Sequence, residues 1–166
     1  MKHFFSGLLV AICILPCATS MAQGKFAGSM KQFIGRSYTD EKQVPWMKGY
    51  SFSEGSVVSP ANDAVVFTAN VYKKGNAAVV IFGKREEEGK PFYMLDAIEM
   101  KNMQFAWLFR TVECYNGKEE ASNIVALVRQ DGKSYKVLKA WRCNMDKIRF
   151  DAMPIKLVQC LDSENH

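Results

Sequence analysis

The sequence is poor in histidine, the side chain on which much enzymatic acid–base chemistry depends. It contains two histidines, one close to each end of the chain, His3 and His166. Residues at chain termini are usually frayed, so neither histidine is well placed for catalysis. This scarcity weighs against Ser-His-Asp and Cys-His catalysis and against His-rich metal sites. We assign no catalytic residue and no metal ligand.

Several diagnostic motifs are also missing. The chain has no Cys-x-x-Cys, no Gly-x-Gly-x-x-Gly and no phosphate-binding loop, which disfavours thioredoxin-like redox chemistry and dinucleotide binding. No stretch approaches the ~20 apolar residues of a transmembrane helix. Asp96 and Glu99 are predicted to lie on opposite faces of one strand, so they do not converge as a catalytic pair. We expect no cofactor and no transmembrane segment.

The first 22 residues have the layout of a secretory signal peptide. Lys2 is followed by an apolar stretch that ends at Pro16, and small side chains lie at Ser20 and Ala22. We expect cleavage before Gln23 and a periplasmic or secreted bacterial protein. Lipid attachment at Cys17 is the less favoured alternative, because proline precedes that cysteine where a small residue is expected.

The remaining chain, residues 23–166, is predicted to be a single globular β-rich domain. Its 144 residues suffice to bury roughly 70% of the unfolded surface without a metal. The signal segment carries one lysine and no acid, so the mature chain has 21 basic and 17 acidic side chains, a net charge of +4. That charge is modest and is weak evidence for a polyanionic partner.

Three cysteines remain after cleavage: Cys114, Cys143 and Cys160. In an oxidising compartment we expect two of them to pair. Loop entropy does not discriminate, because the three possible bridges differ by less than ~1 kcal/mol. We favour Cys114–Cys160, which would tie a C-terminal segment to the middle of the sheet, with Cys143 buried as a small hydrophobe.

From residue 64 onward, apolar residues alternate with period two and turn residues separate the runs. This pattern predicts an antiparallel meander of six to eight short strands, as an open sheet or a small barrel or sandwich. The clearest unit is a hairpin over residues 64–82, whose second strand is apolar on both faces. The later predicted strands cover residues 92–100, 104–115, 123–129, 135–143, 148–152 and 155–160. For residues 135–146 a helix is the alternative.

Residues 25–36 show a different spacing. Phe26, Met30, Phe33 and Ile34 recur with helical periodicity, which predicts one N-terminal amphipathic helix packed on the sheet. The fold class is therefore α+β and mainly β.

A speculative binding surface comes from exposed-looking aromatic and basic residues. Lys136, Lys139 and Arg142 make the C-terminal half locally basic, and Trp46 lies in an irregular, proline-containing connection. Tryptophan is favoured at interface hot spots. For an exported chain, the usual interpretation of these basic residues is a solvated face; a surface for an acidic protein or the anionic envelope is the alternative, ahead of nucleic acid.

Two function hypotheses follow. The first is an exported, non-enzymatic protein-binding module, similar in type to an inhibitor or immunity protein, with another exported or envelope protein as partner. The alternative is an envelope-associated structural or stress protein that binds anionic glycan or lipid through its basic C-terminal half. An enzyme that uses carboxylates or the odd cysteine is the least favoured class.

Overall fold

The computed structural model describes residues 29–59, 64–111, 113–117, 119–131 and 134–161. The predicted signal peptide, its cleavage site and His166 lie outside the described residues. No helix within these ranges is long and apolar enough to cross a membrane.

The described chain forms twelve strands in three antiparallel sheets. Sheet A has the order β1-β5-β4-β3-β2, sheet B has the order β11-β10-β9-β6, and sheet C has the order β12-β7-β8. The strands are β1 Ser37–Tyr38, β2 Ser51–Val57, β3 Val66–Lys74, β4 Ala77–Arg85, β5 Phe92–Met100, β6 Trp107–Arg110, β7 Cys114–Asn116, β8 Glu119–Glu120, β9 Ile124–Asp131, β10 Ser134–Asn144, β11 Arg149–Met153 and β12 Val158–Cys160. The predicted β-rich, antiparallel architecture is confirmed, as a half-barrel.

Sheets A and B face each other across the central core. From sheet A, Val71, Val80 and Phe82 point into this layer, and from sheet B, Phe109 and Leu127 meet them. These five side chains are at most 1% exposed. Burial of large apolar side chains on this scale is the main driving force for folding.

Both outer faces are covered as well. On sheet A, Tyr72, Val79 and Ile81 lie beneath the N-terminal segment, including Val44 and Met47. On sheet B, a further apolar cluster lies beneath sheet C; its buried members are Cys114, Ile124, Ala126, Val128, Ala140, Val158 and Cys160. The central strands are therefore buried on both sides, which explains why β4 and β9 read as continuous apolar runs.

Two carboxylates hold the half-barrel together at its seams. Asp96 of β5 accepts the backbone N–H of Phe150 in β11 at 2.9 Å. At the other seam, Glu54 of β2 accepts the backbone N–H of Thr111 at 2.8 Å and lies 3.5 Å from Arg110. Each carboxylate gives a partner to a backbone donor beyond the sheet ladder, which limits the desolvation cost of that donor.

The favoured disulfide is confirmed. Cys114 and Cys160 are bonded, with their Cα atoms 4.1 Å apart on the paired strands β7 and β12. Cys143 is a free cysteine and is buried in the central core. The bridge ties the C-terminal segment to the small sheet C rather than to the middle of a large sheet.

Most predicted strands are present. The hairpin over residues 64–82 is β3 and β4, joined at Gly75, whose positive φ of 55° suits glycine. Residues 134–144 form strand β10, so the helical alternative for that stretch is wrong. The single strand predicted over 104–115 is instead β6 and β7, separated near Glu113, which has a φ of 55°.

The predicted N-terminal amphipathic helix is wrong. Met30–Phe33 form one 3₁₀ turn, Gly35 has a φ of 83°, and the chain then extends into β1; residues 25–28 lie outside the described ranges. The Glu99 carboxylate accepts the backbone N–H of Met30 at the start of this turn. Met30 and Phe33 still pack on sheet A as partly buried residues, but Ile34 of the same stripe is 47% exposed, so the stripe predicted only part of the burial and not the helix length.

Candidate functional site: an apolar groove at the open end of the half-barrel

One end of the layer between sheets A and B is open and forms a groove of about 460 Å³. One wall is the β3–β4 turn, which contributes Lys73, Gly75 and Asn76. Lys73 lies opposite Ala78, a residue of the central core, so its side chain is on the inner face of sheet A. We call this feature the open-end groove.

The other wall is the loop between β5 and β6. Met103 donates its backbone N–H to Asn76 at 2.7 Å, and Trp107 donates its N–H to Gln104 at 2.9 Å. These bonds fix the loop to the neighbouring turn and to itself. Phe105, between the two anchored positions, is fully exposed at 108% of its reference area.

Exposure of this extent is unusual for an aromatic ring beside an apolar groove. Met103 and Trp107 are partly buried against the central core, whereas Phe105 has no such cover. A phenylalanine offers a large apolar area at the cost of ordering only two side-chain torsions. Phe105 is therefore suited to contact with another molecule.

Basic side chains continue from the groove across sheet B. Trp107 lies opposite Arg129, and Arg129 lies opposite Lys136. Directly opposed residues on antiparallel strands point to the same face, so these three side chains form one row. Lys139 lies opposite the core residue Leu127 and shares that face. The row gives the open end a positive character, offset in part by Asp131, 3.9 Å from Arg129.

The structure divides the predicted binding surface among three places. Lys136 and Lys139 are exposed on the inner face of sheet B, at the groove end. Arg142 is exposed on the opposite face, because it lies opposite Ile124 of the outer cluster. The sequence alone did not predict that these residues lie on different faces, because a β-bulge between Val137 and Lys139 changes which residues share a face.

Trp46 lies on the far side of sheet A. Its ring stacks on Phe33 with centroids 5.5 Å apart and meets Tyr38 edge-on at 6.0 Å. The indole Nε1 is buried without a hydrogen-bond partner. Trp46 is therefore a half-buried part of the outer cover, and the fully exposed aromatic ring is Phe105.

Phe105 was missed because its sequence pattern resembled a strand. It alternates with Trp107 and Phe109, and those two do share the inner face of sheet B. Strand β6 begins only at Trp107, after a turn in which Asn102 has a φ of 57°. Asparagine tolerates this left-handed conformation better than most residues, and that was the available signal for a loop.

Carboxylates near the C-terminal turn have structural partners. Asp151 accepts hydrogen bonds from Asn144 and Arg149, both at 2.7 Å. These two hydrogen bonds, with smaller contributions from the positive charges of Arg149 and Lys147, hold the pKa of Asp151 below its usual value. Within the part of the chain that the structure describes, no group of three or more His, Cys, Asp or Glu side chains is arranged to hold a metal ion.

Comparison of the chain with known protein families, curated proteins and solved structures found no match.

Proposed function

We propose that the protein is an exported, non-enzymatic protein-binding module and that the open-end groove is its contact surface. The main support for this proposal is Phe105, a fully exposed aromatic ring held beside an apolar groove by an anchored loop. Aromatic anchors that fill or flank pockets supply much of the energy of protein interfaces. The Cys114–Cys160 bridge is compatible with a periplasmic or secreted location.

The partner that suits this surface is another exported or envelope protein. It would place an apolar side chain in the groove, against Met103 and Trp107, and an acidic segment along Arg129 and Lys136. Complementary charge speeds association and selects the orientation of the partner. Apolar contacts at Phe105 would supply the larger share of the affinity.

The first prediction concerns Phe105. The immobilised protein would be exposed to envelope extract and culture fluid at low and high salt, followed by mass spectrometry of retained material. We expect one stoichiometric protein to be retained at both salt concentrations. Phe105→Ser should weaken its binding by about 10- to 30-fold, the loss typical of a hot-spot aromatic residue.

Leu157→Ser is the matched control, because Leu157 is 55% exposed and precedes β12 of sheet C. This variant should bind as the wild type does. Equal binding by Phe105→Ser would contradict the proposal.

A second candidate function is attachment to an anionic glycan or lipid surface. It is favoured by the exposure of Lys136, Lys139 and Arg142 on β10. This candidate predicts retention of envelope lipid or glycan that high salt releases, because exposed charge contacts are screened. Lys136→Glu with Lys139→Glu would then abolish retention, and Phe105→Ser would not.

A further inference from the structure

A second cavity lies at the opposite end of the β3–β4 hairpin, on the outer face of sheet A. It has a volume of about 360 Å³ and is covered by the loop Thr39–Lys42. Val66, Thr68 and Arg85 line its floor. Val66 and the hairpin turn are separated by the length of β3, roughly 25 Å. We call this cavity the Arg85 cleft; it is distinct from the open-end groove.

Arg85 is a charged group of this cleft that has no ion-pair partner among the described residues. It is partly buried, its guanidinium lies 4.7 Å from the centre of the Phe92 ring, and its Nε is buried without a hydrogen-bond partner. Neighbouring Lys84, by contrast, is paired with Glu86 at 2.9 Å. Among the residues that the structure describes, none forms an ion pair with Arg85.

This arrangement of Arg85 favours the binding of an anion. The Phe92 ring, 4.7 Å from the guanidinium carbon, supports the Arg85 side chain from one side. The planar fork of guanidinium N–H donors matches a carboxylate with two parallel hydrogen bonds.

The loop Thr39–Lys42, which covers the cleft, contributes two negatively charged side chains. Asp40 and Glu41 line the cavity together with Lys42. The loop is fixed, because Asp40 accepts the backbone N–H of Lys42 at 2.7 Å and the Glu41 carbonyl accepts the Tyr72 hydroxyl at 2.6 Å. Two acidic and two basic side chains therefore line one cavity.

The presence of both acidic and basic side chains in the cleft determines which anions can bind there. A phosphate or polyanion at Arg85 would be repelled by Asp40 and Glu41, whereas a ligand with one carboxylate and one ammonium group would meet opposite charges at both ends. Thr68 is 3% exposed and forms part of the floor. A smaller cavity of about 110 Å³ lies next to the cleft and shares Glu41, Val57 and Thr68 with it.

We propose that the Arg85 cleft binds a small amino-carboxylate, such as a free amino acid, with its carboxylate on Arg85 and its ammonium group towards Asp40 and Glu41. This binding is independent of the open-end groove and of the protein-binding function. The ligand is identified by its two charges and its size rather than by one named compound.

The test is a nitrogen-15 NMR titration that follows the Nε–H resonance of Arg85. The probes are the twenty free amino acids, acetate and methylammonium, each at concentrations up to about 10 mM, which reaches the weak end of measurable binding. We expect at least one amino acid to give a saturable shift and to bind at least about tenfold more tightly than acetate or methylammonium.

Because the variants lack the Arg85 Nε–H, the backbone amide resonances of Thr68 and Phe92, which line the cleft, report binding to them. Arg85→Gln should abolish the saturable shift of these amides, and Arg85→Lys, which keeps the charge but loses the fork, should weaken it. Arg36→Gln is the matched control, because Arg36 also lies over a phenylalanine ring, at 5.3 Å from the centroid of Phe33. This control should bind normally. The spectra themselves report whether each variant is folded.

Two outcomes would overturn the proposal. Absence of a saturable shift at Arg85 with every probe would show that the cleft is not a ligand site. Binding of acetate as tightly as the best amino acid would show a simple anion site and exclude the role given to Asp40 and Glu41.

Discussion

At the scale of single residues, the three cysteines within the described ranges show how position determines chemistry. Cys143 points into the central core between sheets A and B, whereas Cys114 and Cys160 lie in the outer cluster beneath sheet C. Burial raises the pKa of Cys143 to about 12, because the thiolate would lose its hydration. The third cysteine is therefore an inert core residue rather than a reactive thiol.

A thiol-reactive reagent such as Ellman's reagent tests this conclusion. For a protein of residues 23–166, which lacks Cys13 and Cys17, we expect no reaction of the folded state at neutral pH, because only the thiolate attacks, and release of one thiol equivalent in denaturant. The unfolded thiol ionises near pH 9.0 and the folded thiol near 12, so the contribution of Cys143 to stability declines as pH rises through that interval. Rapid modification of the native protein would contradict the assignment.

At the scale of elements, one glycine of β4 makes room for a side chain of β1 that reaches across the intervening strand β5. Gly83 of β4 lies beneath Tyr38 of β1, and a Cβ added at Gly83 would be 2.4 Å from the Tyr38 hydroxyl and 3.1 Å from Thr68 Oγ1. The Tyr38 hydroxyl is buried close to Thr68 and Asn70, but it lacks a hydrogen bond of normal geometry. Burial is the main cause that raises the Tyr38 pKa, which Thr68 and Asn70 lower slightly.

Gly83→Ala should therefore lower the free energy of unfolding by about 1–3 kcal/mol, the usual cost of overpacking a core. Tyr38→Phe alone should change stability little, because the hydroxyl that it removes lacks a partner. The double variant should regain part of the loss, since the clash involves that oxygen. Chemical denaturation of the four proteins gives the coupling energy, and additive effects would exclude the contact.

Elements could be predicted where one physical signal dominated. The β3–β4 hairpin was predictable because alternation and turn residues agree, and β5 was predicted with the observed bounds, Phe92–Met100. The N-terminal stripe misled because Met30 and Phe33 pack on sheet A from a short 3₁₀ turn, without the longer helix that their spacing predicted. Periodicity alone does not report how far a helix continues.

The candidate sites were less predictable than the fold. Phe105 was identifiable as apolar but not as exposed, because its exposure depends on the bond between Met103 and Asn76, 27 positions earlier in the chain. Arg85 and the loop Thr39–Lys42 are likewise brought together only by the tertiary fold. Contacts between distant segments leave little trace in a single sequence.

At the scale of the whole molecule, the Cys114–Cys160 bridge is the covalent tie of the C-terminal half. It closes a loop of sequence separation 46, and the entropy of such a loop in the unfolded chain corresponds to about 4 kcal/mol. Stabilities of small domains are only about 5–15 kcal/mol, so the bridge is a large part of the total.

Replacing both residues, Cys114→Ser with Cys160→Ser, should lower the free energy of unfolding by about 3–4 kcal/mol in urea denaturation. Reduction of the wild-type protein with dithiothreitol should produce a similar loss, which separates the effect of the bond from that of the serines. A change below about 1 kcal/mol in both experiments would show that the bridge contributes little.

The chain order of the sheets has a consequence for biogenesis. Sheet A is complete by Met100, whereas every strand of sheets B and C begins at Trp107 or later. A ribosome therefore delivers the whole of sheet A first. Until the second half of the chain is synthesised, Val80 and Phe82 lack the layer that covers them. The nascent protein therefore passes through an intermediate with exposed apolar surface, of the kind that chaperones recognise.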